Sequence, residues 1–357
     1  MERGMLLSIC YAANTGGMAS LTGTGPNLVL KAAVDDLYED YGLDSPVTFG
    51  TWMALGLPLS AMVLILCWLW LQAAFLGCRG SCNVCKEGSE ESKRVHEVIA
   101  EEYRKMGPVS CSQKIIISLF VILVALWITR DLGGVVGWAK TYPSKFINSS
   151  CPAMCIALLL FAIPRSLPKP AREGEGVKKA MPLMEWPYIQ KRLPWHLVFL
   201  IGGGFALSKG SKRSGLSAML GKQLDVFGGI DKWGVLFFIS YATSLLTEVT
   251  SNSAICNLVL PILTELALRT GVHPLYYMIT AALSCSFAYM LPVATAPNAI
   301  VYGTGKIRMT LMIKIGVVMN IVAVPLLIVM TGTLGDAIFD FDNVPAAFLN
   351  STAAASP

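Results

Sequence analysis

Gly23-Thr24-Gly25-Pro26-Asn27 and Ala294-Thr295-Ala296-Pro297-Asn298 are one device written twice: a small residue, threonine, a small residue, then Pro-Asn, each following an apolar run dotted with small and hydroxyl residues. Such a stretch cannot continue a helix, because proline lacks its N–H and biases the residue before it away from helical angles. Set inside hydrophobic sequence, each copy reads as a helix interrupted within a membrane. The surrounding chain agrees. Of its 357 residues 54% are hydrophobic and 14% charged, where soluble domains carry about 25% charged residues, and the mean hydropathy is +0.58. Charge is confined to a few loops, and no Pro/Gly-rich linker or soluble domain interrupts the pattern. The composition therefore predicts an all-α polytopic membrane protein.

Crossing the hydrocarbon core takes roughly 20 apolar residues. Runs of that kind recur at 49–77, 113–129, 275–302 and 309–333, with shorter ones at 151–164 and 196–208. A further apolar stretch, 233–268, is interrupted by the polar tip Thr250-Ser251-Asn252-Ser253. It reads as a re-entrant hairpin, since non-helical backbone at membrane depth survives only where it is buried or lines a cavity. Basic residues cluster at 78–112 and 165–193, which the positive-inside rule places in the cytoplasm. The N-terminus of the chain is then cytoplasmic. The loop 130–150 and the C-terminal tail lie outside, which suits the glycosylation sequons at Asn148 and Asn350.

In transporters with discontinuous helices, half-helix N-termini direct free N–H groups at substrate anions, while half-helix C-termini and unwound carbonyls hold coupling cations. The hairpin fits that division. A first helix ending near Thr250 offers the carbonyls of Thr247 and Thr250, with the amide oxygen of Asn252, as an oxygen cage for sodium. A second helix beginning after Ser251, Asn252 and Ser253 starts on residues favoured at N-caps and presents hydroxyls, an amide and N–H groups to an anion. The second break adds the Ala294 carbonyl for the cation and the Thr295 hydroxyl for the anion. Hydrogen bonding between helices is the alternative account of one Ser-Asn-Ser in an apolar helix. Packing alone does not account for a polar tip followed some 40 residues later by a Pro-Asn break that also has a second copy.

At Cys10–Asn27, Thr250-Ser251-Asn252-Ser253-Ala254 and Phe287–Val301 the chain resembles the divalent anion/sodium symporter family, specifically the animal sodium-coupled di- and tricarboxylate transporters. The likeness runs on through Glu101-Glu102-Tyr103-Arg104-Lys105, Gly202-Gly203-Gly204-Phe205 and Ala337-Ile338-Phe339-Asp340. The resemblance implies a plasma-membrane homodimer working by an elevator motion, with inverted repeats that each contribute a hairpin and a broken helix. It implies substrate contacts from Thr24, Ser251, Asn252, Ser253 and Thr295, and sodium ligands at Gly23, Thr247, Thr250, Asn252 and Ala294. Ser253 stands where the family's tip carries threonine. The family's first Ser-Asn-Thr hairpin has no counterpart upstream of Gly23, and Ala13-Asn14-Thr15 aligns instead with the helix leading into the break. The expected division is a remnant of the first repeat at 5–77, a cytoplasmic loop at 78–112, a second repeat at 113–335 and an extracellular tail at 336–357.

Sodium coupling has a physical motive, since an inside-negative potential opposes each entering negative charge by roughly 2.3 kcal/mol per 100 mV. The expected function is sodium-coupled symport of di- or tricarboxylates such as succinate or citrate. Sodium-independent exchange and sulfate transport are alternatives within the family. An incomplete first repeat adds a third, a non-transporting subunit that modulates full-length partners. Exchange would call for a fixed cation near the tip, and the sequence holds none between Trp233 and Glu265. An enzyme is disfavoured: the glycines at 202–204 miss the spacing of either nucleotide-binding loop. Cys78, Cys82 and Cys85 form a juxtamembrane cluster open to palmitoylation, to metal binding with His96, or to neither. Glu248, an acid just before the tip, is a functional candidate because intramembrane acids often are.

Overall fold

The structure, a computed structural model, describes residues 2–80, 90–130, 137–141, 150–165, 181–193 and 231–348, with single residues and short pieces between 195 and 219. In chain order the helices are α1 (Glu2–Gly17), α2 (Gly25–Asp40), α3 (Phe49–Gly80), α4 (Glu90–Met106), α5 (Cys111–Arg130), α6 (Ser150–Ala162), α7 (Trp186–Arg192), α8 (Lys232–Val249), α9 (Asn252–Thr270), α10 (Pro274–Ser284), α11 (Ala296–Gly303), α12 (Met309–Met330) and α13 (Asp336–Phe339). A π turn, Thr331–Gly335, joins the last two. Among the described residues, four helical stretches are long and apolar enough to cross a membrane: Phe49–Leu76, Cys111–Arg130, Asn252–Thr270 and Met309–Phe339. The last residue of α8 is Val249 and the first of α9 is Asn252, so the polar tip interrupts the hairpin where the sequence puts it. The sequons at Asn148 and Asn350, together with Cys82 and Cys85, lie outside the described residues, as does most of the stretch expected to span at 196–208.

The chain forms two compact units, Asn83–Pro194 and a second made of Met1–Cys82 with Trp195–Pro357. These cut across the expected second repeat at 113–335; a repeat is defined by internal correspondence, not by compactness, so the two divisions need not coincide. In the smaller unit the segment expected as a loop contains α4, with Arg104 and Lys105 in its last turn. Next comes α5, none of whose residues is buried. A helix apolar all round with no buried residue is suited to lipid.

In the larger unit each Pro-Asn stretch starts a helix. Pro26 and Pro297 occupy the first turns of α2 and α11, where the missing N–H removes no helical bond. The two broken helices lie side by side and antiparallel: α1 packs on α11, α2 on α10. Hairpin arm α8 packs on α10 and α12, and α9 on α10 and α2.

His273 closes one end of this unit. Its Nδ1 accepts from Leu275 N at 3.2 Å, capping α10. Nε2 then carries the proton and faces Tyr38 Oη at 3.5 Å, while Phe341 and Phe348 pack around the ring. Burial among these rings lowers its pKa to about 4, against a smaller opposing pull from Asp340. Above the unfolded value near 6.5 both states are neutral. Below it the unfolded chain takes up a proton that the folded one refuses, so stability falls between pH 6.5 and 4, by roughly 3 kcal/mol at most. Unfolding temperature in detergent should therefore drop on acidification, and drop less in His273→Asn, which keeps a capping acceptor without the titration. Equal pH slopes in the two proteins would refute this assignment.

Candidate functional site

Both breaks are built to one plan. Asn27 Nδ2 reaches back to Gly17 O at 3.1 Å and Ser20 O at 2.9 Å. Asn298 Nδ2 does the same to Ala288 O at 2.9 Å and Leu291 O at 3.1 Å. In each case the acceptors stand ten and seven residues before the asparagine, and they are carbonyls that unwinding has deprived of their i+4 partners, although Ser20 O and Leu291 O each keep a turn bond, from Gly23 N and Ala294 N. The Pro-Asn pair thus has two jobs: proline starts the new half-helix, and asparagine fastens the unwound turn behind it.

A following helix backs each break. On α3, Gly56 comes so close to Met18 that a Cβ would stand 2.6 Å from its carbonyl oxygen; on α12, Gly316 would meet Tyr289 O at 2.4 Å. Met18 and Tyr289 are corresponding residues, nine positions before Asn27 and Asn298. Four positions past each glycine stands a polar side chain. Ser60 Oγ donates to Thr15 O at 2.9 Å, and Asn320 Nδ2 donates to Glu248 Oε1 at 2.9 Å. Trp52 Nε1 also donates to Met18 O, at 3.1 Å.

The hairpin grips the second break through one face of α8. Ser244 Oγ donates to Phe287 O at 3.1 Å. Thr247 Oγ1 lies 2.6 Å from Asn252 Oδ1 and 3.0 Å from Cys285 O. A hydroxyl has one hydrogen to give, so these three oxygens share a single proton, and such an oxygen-rich cluster suits a hard cation. Glu248, 1% exposed, accepts from the backbone N–H groups of Tyr289, Met290 and Leu291 at 2.8 to 3.0 Å. With the Asn320 amide, its carboxylate has four donors and supplies the acceptors that the unwound turn lost.

The expected site residues take varied positions. Thr247 is buried, Thr250 is the exposed C-cap of α8, and Ser251 is the exposed N-cap of α9. Asn252 is half-buried, Ser253 and Ala294 buried. Thr295 caps α11, its Oγ1 accepting from Asn298 N at 3.4 Å, which leaves its hydroxyl hydrogen free to donate. The corresponding Thr24 makes no such cap, and its Oγ1 is buried without a partner, as is Asn27 Oδ1. Near this first break Cys256 Sγ donates to Pro26 O at 3.5 Å, one helical turn beyond the hairpin tip. The tip and the second break are therefore joined by side-chain bonds, and the first break reaches the hairpin through α9. Cys285, Asn320, Trp52 and the two Pro-Asn asparagines were not singled out from sequence. The repetition of Asn at a fixed place after each Pro was the available signal.

Gly23 and Ala294 occupy the same place in the two breaks yet are not interchangeable. A Cβ on Gly23 would stand 2.2 Å from Gly17 O, which is backbone and cannot step aside. Gly23→Ala should therefore cost about 1–3 kcal/mol through overpacking and loosen residues 17–24, read as faster amide exchange there. Native exchange in that segment would contradict the tight geometry.

Known proteins resemble this chain over most of its length. The family model described as sodium:sulfate symporter transmembrane region matches residues 1–340. The chain is 37% identical to the Na(+)/citrate cotransporter of Rattus norvegicus over 97% of its own length and 62% of that protein's. It is 36% identical to solute carrier family 13 member 2 of Homo sapiens, covering 99% of this chain and 61% of the relative. With the Na(+)/dicarboxylate cotransporter 3 of Homo sapiens the identity is 34%, over 96% and 58% respectively. The chain thus spans about three-fifths of the length of these curated relatives. Multi-pass, all-helical and matched over nearly its whole length, it belongs to the sodium:sulfate symporter transmembrane-region family, whose members are sodium-coupled membrane transporters and not enzymes.

Proposed function

We propose that this chain forms the second half-site of a sodium-coupled symporter for di- or tricarboxylates such as succinate or citrate, in an inverted-repeat, elevator-type architecture. The observation that carries the reading is the joining of the hairpin tip to the second break through Thr247, Asn252, Cys285 and Glu248. Sodium sits among oxygens of Thr247, Thr250, Asn252 and Ala294. The carboxylate is met by Ser251, Asn252, Ser253 and the Thr295 hydroxyl. At the first break the unpartnered Thr24 hydroxyl and the Gly23 backbone offer the corresponding contacts, since a buried hydroxyl without a partner is costly. Carboxylate in preference to sulfate is supported by the names of the relatives, which include citrate and dicarboxylate cotransporters.

The sodium requirement follows from charge. Among residues 233 to 265 no lysine or arginine is present to hold the substrate, and Glu248 contributes a buried acid to the same segment. A dianion therefore binds only with cations beside it. The corresponding architecture is a homodimer in the plasma membrane with the loop 78–112 in the cytoplasm and the tail outside. In proteoliposomes or cells bearing the protein, replacing sodium with choline should abolish uptake of labelled succinate and citrate. Carboxylate exchange that persists in choline would overturn the symport reading.

A further inference from the structure

Asn14 and Thr15 sit in the last turn of α1, where buried polar side chains are costly unless they are hydrogen-bonded. Both are buried, at 6% and 0% exposure, and both point across to the other broken helix. Asn14 Nδ2 donates to Ala288 O at 3.0 Å and to Asn298 Oδ1 at 3.2 Å. Thr15 Oγ1 lies 2.8 Å from Tyr289 Oη, and Tyr11, one turn earlier, packs edge-on against the Tyr289 ring with centroids 5.1 Å apart. Ala288 O is also an acceptor for Asn298. Asn14, Ala288 and Asn298 therefore close a small hydrogen-bonded ring, and its two carbonyl-bearing members belong to the break that Glu248 holds from the opposite side. The bracket runs one way. The residue corresponding to Asn14 in the second broken helix is Cys285, which has no amide, and the atom corresponding to the bracketed Asn298 Oδ1 is Asn27 Oδ1, which has no partner.

We propose that Asn14 and Thr15 are positioning residues that lock the second break to the first broken helix, so that the sodium and carboxylate ligands of the second half-site hold their geometry only while α1 is in place. The inference rests on the function proposed above for what the break binds, but not for the locking itself. Two packed elements sharing a closed hydrogen-bond ring move as one unless the ring is paid for in unsatisfied acceptors. Loss of α1 contacts then loosens residues 285–295 selectively, and a change at the first break is felt at the second.

Thr15→Val is the mild probe, nearly the same shape without the hydroxyl; Thr15→Ser restores the hydroxyl; Asn14→Ala opens the ring. Amide exchange by mass spectrometry on the purified chain in detergent, without sodium, should show peptides covering 286–294 exchanging about tenfold faster in Thr15→Val and Asn14→Ala. Thr15→Ser should match the native chain, and peptides within 258–268 of α9 should be unchanged in all three. Unchanged exchange at 286–294 in Thr15→Val, or an equal rise at 258–268, overturns the lock. Repeating the measurement across a sodium titration should raise the half-protecting concentration in Thr15→Val. A native chain that gains no protection from sodium would count against the function proposed above, and the sodium-free comparison would still decide the lock.

Discussion

Glu248→Ala should produce the largest local loss of any single change in the hairpin. The carboxylate satisfies three consecutive backbone N–H groups of the second break and the amide of Asn320, and it does so from a position 1% exposed. Removing it strands all four donors, with the Tyr289 N–H and the Asn320 amide in buried surroundings. Breaking one side of a buried charged network costs about 3–5 kcal/mol, which corresponds to on the order of a hundredfold or more in local opening. Glu248→Gln keeps one acceptor oxygen but turns an amide N–H₂ toward groups that already donate, so it falls between native and alanine. Glu248→Asp is a methylene short of the same donors and should resemble alanine. Asn320→Ala removes one donor and leaves the carboxylate with three, so its loss is smaller, and combined with Glu248→Ala it should add almost nothing. Amide exchange across 286–292 measures each effect, and sodium-dependent uptake should fall in the same order. A Glu248→Ala chain whose break exchanges like native would show that the carboxylate is incidental.

What could be read from sequence was whatever is local. Pro26 and Pro297 announce their helix starts by backbone chemistry alone, and the limits of α8 and α9 fall within two residues of the expected hairpin because Thr250 and Ser251 leave the helical region at the tip. The family likewise follows from contiguous motifs. The supports of the site are different in kind. Glu248 finds its donors more than 40 residues onward, and Asn27 and Asn298 reach back ten and seven residues across an unwound turn, where no helical period connects donor to acceptor. Gly56 and Gly316 look like any small residue in a membrane helix until the carbonyl that each abuts is known. Asn14-Thr15 was visible as a polar pair, yet only the antiparallel packing of α1 on α11 explains why it is there.

The same distinction between matching sequence and unequal surroundings sets the second large effect. Asn298 and Asn27 fill equivalent places, but Asn298 also accepts from Asn14, while Asn27 Oδ1 has no partner. Asn27→Ala strands Gly17 O and leaves Ser20 O with the Gly23 N–H alone. Asn298→Ala leaves Leu291 O with the Ala294 N–H and leaves Ala288 O and Asn14 with each other, so each loses one partner and none is stranded. At about 1–3 kcal/mol for each unsatisfied buried group, the alanine change at 27 should cost roughly one such group more than that at 298. Asn298→Asp goes further, because it keeps the shape and replaces the donating amide with an oxygen aimed at two carbonyl oxygens, so attraction becomes repulsion in a low-dielectric setting. It should lower the unfolding temperature in detergent more than Asn298→Ala does, whereas a void alone would make alanine the worse substitution. Exchange should rise at 288–291 for changes at 298 and at 17–20 for changes at 27. Because Asn14 carries the second break's ring into α1, Asn298→Asp should also speed exchange around residue 14, and Asn27→Ala should leave 288–291 untouched. A larger alanine penalty at 298 than at 27 would contradict this count, and tolerance of aspartate at 298 would mean that the second break is held by Glu248 alone.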